Sequence, residues 1–111
     1  MSITSLKSAL PAALLSAAVL AQPAAAGPSY NCDAIENVAE HTICINPVLA
    51  GLDREMAATY FEVRQQLSKP MRRVLRDSQR GFLDQRNGCG ADYACLKELY
   101  EIRISRLRFY L

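Results

Sequence analysis

Residues 47–67 read PVLAGLDREMAATYFEVRQQL. Their apolar positions Leu49, Leu52, Met56, Tyr60, Val63 and Leu67 are separated by steps of 3, 4, 4, 3 and 4. That spacing is the period of an amphipathic helix and not the alternation of a strand. Pro47 suits the first turn of such a helix, where a missing N–H costs nothing. Asn46, as the residue before a proline, is kept out of the helical region and so closes whatever precedes it. A helix of about 20 residues, roughly 30 Å long, is expected here.

Working outward, Lys69-Pro70 breaks the chain, and a third helix is expected from about Pro70 to Asn87. Met71, Val74, Leu75, Phe82 and Leu83 are its apolar positions. Gly88-Cys89-Gly90 reads as the turn that follows a helix C-terminus. A last helix starts near Asp92 and carries Leu96, Leu99, Tyr100, Ile102, Ile104 and Leu107. On the N-terminal side a short helix is expected from about Asp33 to Thr42, capped by Asn31 or Asp33. No stretch alternates polar and apolar residues long enough for a strand. The short connections imply an all-α fold, a small disulfide-stapled antiparallel bundle or hairpin of helices.

The chain has 111 residues, which bounds it to one small domain. Residues 1–26 read as a secretory signal peptide. Lys7 supplies the positive start, the run from Leu10 to Ala21 carries no charge, and Ala24-Ala25-Ala26 fits signal peptidase before Gly27. The apolar run is shorter than the roughly 20 residues a spanning helix needs, so no membrane anchor is expected after cleavage. Cys32 lies too far from the cleavage point to carry a lipid. Residues 27–111 then form the mature domain, in the periplasm or outside the cell.

All four cysteines lie in that domain. An even number in a short exported chain points to disulfides. Three pairings are possible, and joining neighbours, Cys32 to Cys44 and Cys89 to Cys95, is preferred because it closes two local loops. No C-x-x-C occurs, and no His lies at metal-ligand spacing from either pair. Neither a metal nor another cofactor is therefore expected. His41 is the only histidine and falls inside the first cysteine loop, so a Cys–His nucleophile would require Cys44 to be free. Arg72, Arg73, Arg76 and Arg80 form a basic run, but Asp77 and Asp84 interrupt it and net charge is only +2. Nucleic acid is accordingly not expected as a partner.

The order of residues carries a further signal. One block holds Cys32-Asp33-Ala34, Glu40, Ile43-Cys44, Leu49, Leu52-Asp53 and Tyr60. A second holds Gln79-Arg80, Phe82-Leu83, Arg86, Cys89-Gly90, Cys95-Leu96, Tyr100, Arg103 and Leu107. From about Cys32 to Leu107 the chain resembles the LprI-type lysozyme inhibitors, small exported bacterial proteins. The family usually carries Trp where this chain has Phe82, which keeps an aromatic ring but loses the indole donor. The resemblance implies an exported, disulfide-stapled helical domain that inhibits lysozyme. Of the shared positions, Leu52, Tyr60, Phe82, Leu83, Leu96 and Tyr100 read as core. Asp53, Gln79, Arg80, Arg86 and Arg103 read equally as an internal polar network or as a binding surface.

Charge is unevenly distributed along the mature chain. Residues 27–62 hold six carboxylates against Arg54 alone, a formal −5; residues 63–111 hold eleven Lys and Arg against five acids, a formal +6. An inhibitor of a basic hydrolase gains from an acidic surface that speeds encounter. It gains also from a cation facing a cleft built on two carboxylates. Glu36, Glu40, Asp53, Glu55, Arg80 and Arg86 are the candidate partner-contacting residues on this basis. The alternative is that the two halves neutralise each other as interhelical ion pairs. The competing function is that of a periplasmic adaptor or chaperone-like module for another envelope protein.

Overall fold

Asn46 is the joint between two helices. Its side-chain oxygen accepts the N–H groups of Val48 and Leu49 at 3.0 and 3.1 Å, while its own N–H returns to the Ile43 carbonyl. One residue thus ends α1 (Val38–Ile45) and caps α2 (Pro47–Gln66). α3 (Lys69–Gly88) and α4 (Tyr93–Arg108) follow. The structure is a computed structural model that describes residues 26–111; the signal segment expected over 1–26 lies outside these residues but for Ala26. Among the described residues every regular element is helical, and no helix is long and apolar enough to cross a membrane.

α2, α3 and α4 match their expected bounds closely, whereas α1 starts later than the expected Asp33. Asn31 spends its side chain locally: Oδ1 accepts the Asp33 N–H at 2.9 Å and its carbonyl accepts the Ala34 N–H. Residues 31–34 are therefore a turn. The true cap is Asn37, whose Oδ1 takes the Glu40 N–H at 2.9 Å. Glu40 reaches back to the Glu36 N–H at 2.8 Å, one residue earlier than in a standard capping box. Glu36 consequently precedes the helix instead of sharing a face of it with Glu40.

The turn from α2 into α3 uses a side chain to satisfy orphan carbonyls. Arg72 donates its Nε–H to the carbonyls of Arg64 and Leu67 at 3.0 and 3.1 Å. Between α3 and α4, Gly90 adopts a φ of +57°, the left-handed conformation that glycine takes without steric cost. Asp92 then caps α4 through the Cys95 N–H.

Paired residues give the helix directions. Arg86 and Gln79 of α3 meet Tyr100 and Arg103 of α4, so these helices are antiparallel. Asp53 and Glu55 of α2 meet Tyr100 and Arg108, so α2 runs with α4. α2 packs most extensively on α4, α3 also rests on α4, and α1 closes one end against α2 and α3. The core comprises Ala39 and Ile43, then Leu49, Met56 and Val63, then Leu75 and Phe82, then Leu96, Tyr100, Ile104 and Leu107. In the α2 stripe Leu49, Met56 and Val63 form the buried line, and Leu52, Tyr60 and Leu67 flank it half-buried. Phe82 packs edge-on against Tyr100 with ring centroids 5.4 Å apart, so phenylalanine fills this aromatic position without needing a donor.

Both expected disulfides are present. Cys32–Cys44 ties the segment before α1 to that helix's last turn, and Cys89–Cys95 ties the α3–α4 turn to the first turn of α4.

Candidate functional site

α2 and α3 diverge enough to leave a groove of about 360 Å³ between them. Met56, Tyr60 and Phe61 form its α2 wall and Gln79 and Leu83 its α3 wall. One end is floored by charged groups drawn from three helices. Helical period explains their arrival there. Asp53 follows Leu49 by four and precedes Met56 by three, while Arg86 follows Phe82 by four. Each is therefore a polar residue on an apolar face.

Asp53 is 1% exposed and fully engaged. Its Oδ1 accepts the Tyr100 hydroxyl at 2.7 Å, and its Oδ2 accepts both the N–H and the hydroxyl of Ser29 at 2.6 Å. Arg86, 4% exposed, places NH1 4.0 Å from Asp53 Oδ1. Its NH2 donates to Glu40 Oε2 at 3.2 Å and to Asn87 Oδ1 at 2.8 Å. The guanidinium carbon stands 5.6 Å from the centre of the Tyr30 ring, a cation–π contact. Tyr30 donates its hydroxyl to the Glu40 carbonyl at 2.8 Å. Two carboxylates thus share one guanidinium in a largely buried site. Burying such charges is tolerable only because nearly every donor and acceptor has a partner.

Both phenols are held as donors. Burial, opposed by Arg86 and assisted by Asp53 and Glu40, pushes the Tyr30 hydroxyl up to about 12. Burial first, then the Asp53 charge, drives Tyr100 still further above its ordinary value. Tyr100 therefore remains protonated and keeps its bond to Asp53.

The structure brings Glu40, Asp53 and Arg86 together, with Glu36 contributing only its N–H. Asp53 and Arg86, expected as candidates for partner contact, are interior groups. Their side chains point at each other because an unpaired charge at that depth would be prohibitive. Glu55 lies apart and pairs with Arg108 on the α2–α4 face, and Arg80 is exposed. Of the expected network, Gln79 and Arg103 form a neighbouring pair, Arg103 Nε donating to Gln79 Oε1 at 3.0 Å. Phe82, Leu96 and Tyr100 are buried as expected for core, and Leu52, Tyr60 and Leu83 are half-buried against it. Ser29, Tyr30 and Phe61 are groove residues that the sequence reading did not single out. The nearby Cys32 is the signal for the first two, since its disulfide anchors that strap. Phe61, 58% exposed, sits on the rim beside Tyr60. Among the described residues no cluster of His, Cys, Asp or Glu has the makings of a metal site.

A four-helix, two-disulfide domain whose interior acids and arginine lock the helices together, with an aromatic groove above them, belongs to the small stapled domains of oxidising compartments. The chain belongs to the family described as Lysozyme inhibitor LprI, whose model matches residues 30–107. Searches of the curated proteins and of the solved structures returned no match.

Proposed function

We propose that this protein binds lysozyme without catalysing a reaction on it and blocks it, so protecting peptidoglycan, in the periplasm or after secretion once residues 1–26 are removed. The observation that carries this reading is the match to a lysozyme-inhibitor family over residues 30–107, which includes Tyr30, all of the buried network but Ser29, and both disulfides. Because Asp53, Arg86 and largely Glu40 are occupied internally, contact falls to groups left outside. Glu36 and Glu62 on the acidic half steer a basic enzyme, and the exposed Arg80 and Phe61 supply contact.

The test is lysis of a bacterial suspension by lysozymes of several classes, followed by turbidity, with oxidised mature protein. Lysis should slow in proportion to added protein, and reduced, alkylated protein should lose the effect. Unchanged lysis with every lysozyme class would reject the reading. Capture of an unrelated envelope protein under the same conditions would put the adaptor role in its place.

A further inference from the structure

A second groove, of about 390 Å³, runs between α3 and α4 on the other side of Phe82. Its α3 wall is made of Ser78, Gly81 and Gln85, and Arg103 and Arg106 stand one helical turn apart on its α4 side. Like most arginines of the fold these two have no carboxylate partner among the described residues, but they share one groove. The ion pairs of the described residues join Arg86 to Glu40 and Asp53, Lys97 to Glu101, and Arg108 to Glu55, and none includes Arg103 or Arg106.

Arg103 is half-buried and lies over the Phe82 ring at 5.8 Å. Its Nε donates to Gln79 and one Nη2 hydrogen to Ser78 Oγ at 3.1 Å, leaving the Nη1 pair and the second Nη2 hydrogen without an acceptor among the described residues. Burial lowers its proton affinity, Tyr110 and Tyr60 oppose that, and the charge of Arg106 adds the least, with no carboxylate among the causes. Arg103 is half-buried and Arg106 exposed, so a carboxylate lying between them meets two cations beside an apolar floor.

We propose that this α3–α4 groove is a carboxylate-binding site, the ligand's oxygens bridging Arg103 and Arg106 beside the Ser78 hydroxyl. The planar guanidinium fork matches a planar carboxylate. Phe82, Leu99 and Ile102 favour one carried on a short apolar stem over inorganic phosphate. The wall opposite is open, since a Cβ on Gly81 would meet nothing within 4 Å.

That opening supplies the test. Glutarate titrated at constant ionic strength should shift the Arg103 and Arg106 Nε–H and Gly81 amide signals in NMR, with a dissociation constant on the order of 1–10 mM. Arg106→Gln, which breaks no bond inside the fold, should weaken binding at least threefold. Gly81→Glu places a tethered carboxylate in the groove; it should abolish glutarate binding and melt higher than the isosteric Gly81→Gln. Equal shifts with chloride, tighter binding of phosphate than glutarate, or identical behaviour of Gly81→Glu and Gly81→Gln would overturn the site. Lysozyme added to the glutarate-loaded protein identifies the source. Release of glutarate means a carboxylate of the protein partner occupies the groove, and retention means a free carboxylate does. The site stands apart from the lysozyme reading, because glutarate binding at these arginines is measured without any lysis.

Discussion

Asp53 is the residue on which the interior turns. Three donors from two distant parts of the chain, Ser29 twice and Tyr100 once, converge on one carboxylate, with Arg86 behind it. Asp53→Ala should therefore cost about 3–5 kcal/mol, because it strands a buried guanidinium and several donors at once. Tyr100→Phe removes a single bond to a charged acceptor and should cost about 1.5–3 kcal/mol. Urea unfolding checks the order of the two, and a neutral Tyr100→Phe would show that the Asp53 bond adds nothing. The phenols also set an alkaline limit. An unfolded tyrosine ionises near 10, whereas Tyr30 does so at about 12 in the fold, and Tyr100 is displaced in the same direction. Between those values the unfolded chain releases protons that the folded one retains, so stability is fully present below pH 10 and falls as pH rises from 10 to 12. Tyr30→Phe should make that decline shallower, as read from the urea midpoint at successive pH values.

At the level of elements, Asn46 does the work of two caps. Asn46→Ala should cost about 1–2 kcal/mol, somewhat more than Asn37→Ala, which frees one N–H only. The two disulfides should also separate in their effects. Cys32–Cys44 closes 12 residues and holds the strap that carries Ser29 and Tyr30 over the charged floor. Removing it with the double serine variant should cost roughly 2–3 kcal/mol and accelerate amide exchange at Ser29. Removing Cys89–Cys95, which spans only 6 residues of the α3–α4 turn and does not hold the strap, should leave Ser29 protected. Exchange measured on both variants distinguishes a strap fastened by its disulfide from one held by Asp53 alone. Elements were also where reading the chain worked best. α2, α3 and α4 follow from prolines, capping residues and the 3-and-4 spacing, whereas the start of α1 did not, because Asn31, Asp33 and Asn37 are chemically equivalent caps. The turn that Asn31 closes on Asp33 and Ala34 leaves Asn37 to begin the helix.

For the molecule as a whole, the acidic half carries less free charge than its composition indicates. Glu40 and Asp53 face inward and Glu55 is paired with Arg108, leaving Asp33, Glu36 and Glu62 exposed to solvent. If these steer association, Glu36→Lys/Glu62→Lys should slow binding to lysozyme about threefold or more at low salt and leave it unchanged at high salt, where such fields are screened. Stopped-flow association at the two ionic strengths checks this, and an unaltered low-salt rate removes steering. The halves do attract each other across the bundle, through Glu40, Asp53 and Glu55, and an acidic docking face would have to be built from Asp33, Glu36 and Glu62.

Helix content, chain breaks and the pairing of neighbouring cysteines were readable along the sequence because each depends on residues only a few positions apart. Even the inward direction of Asp53 and Arg86 was legible in principle, since both keep step with their apolar neighbours. What each charge meets there was not. Glu40 finds Arg86 across 46 residues, Asp53 finds Tyr100 across 47 and Glu55 finds Arg108 across 53, while Arg103 and Arg106, like most of the arginines, find no acid among the described residues. Only the tertiary fold decides those pairings, because the energy of a charge depends on its neighbours in space and on the water excluded around it.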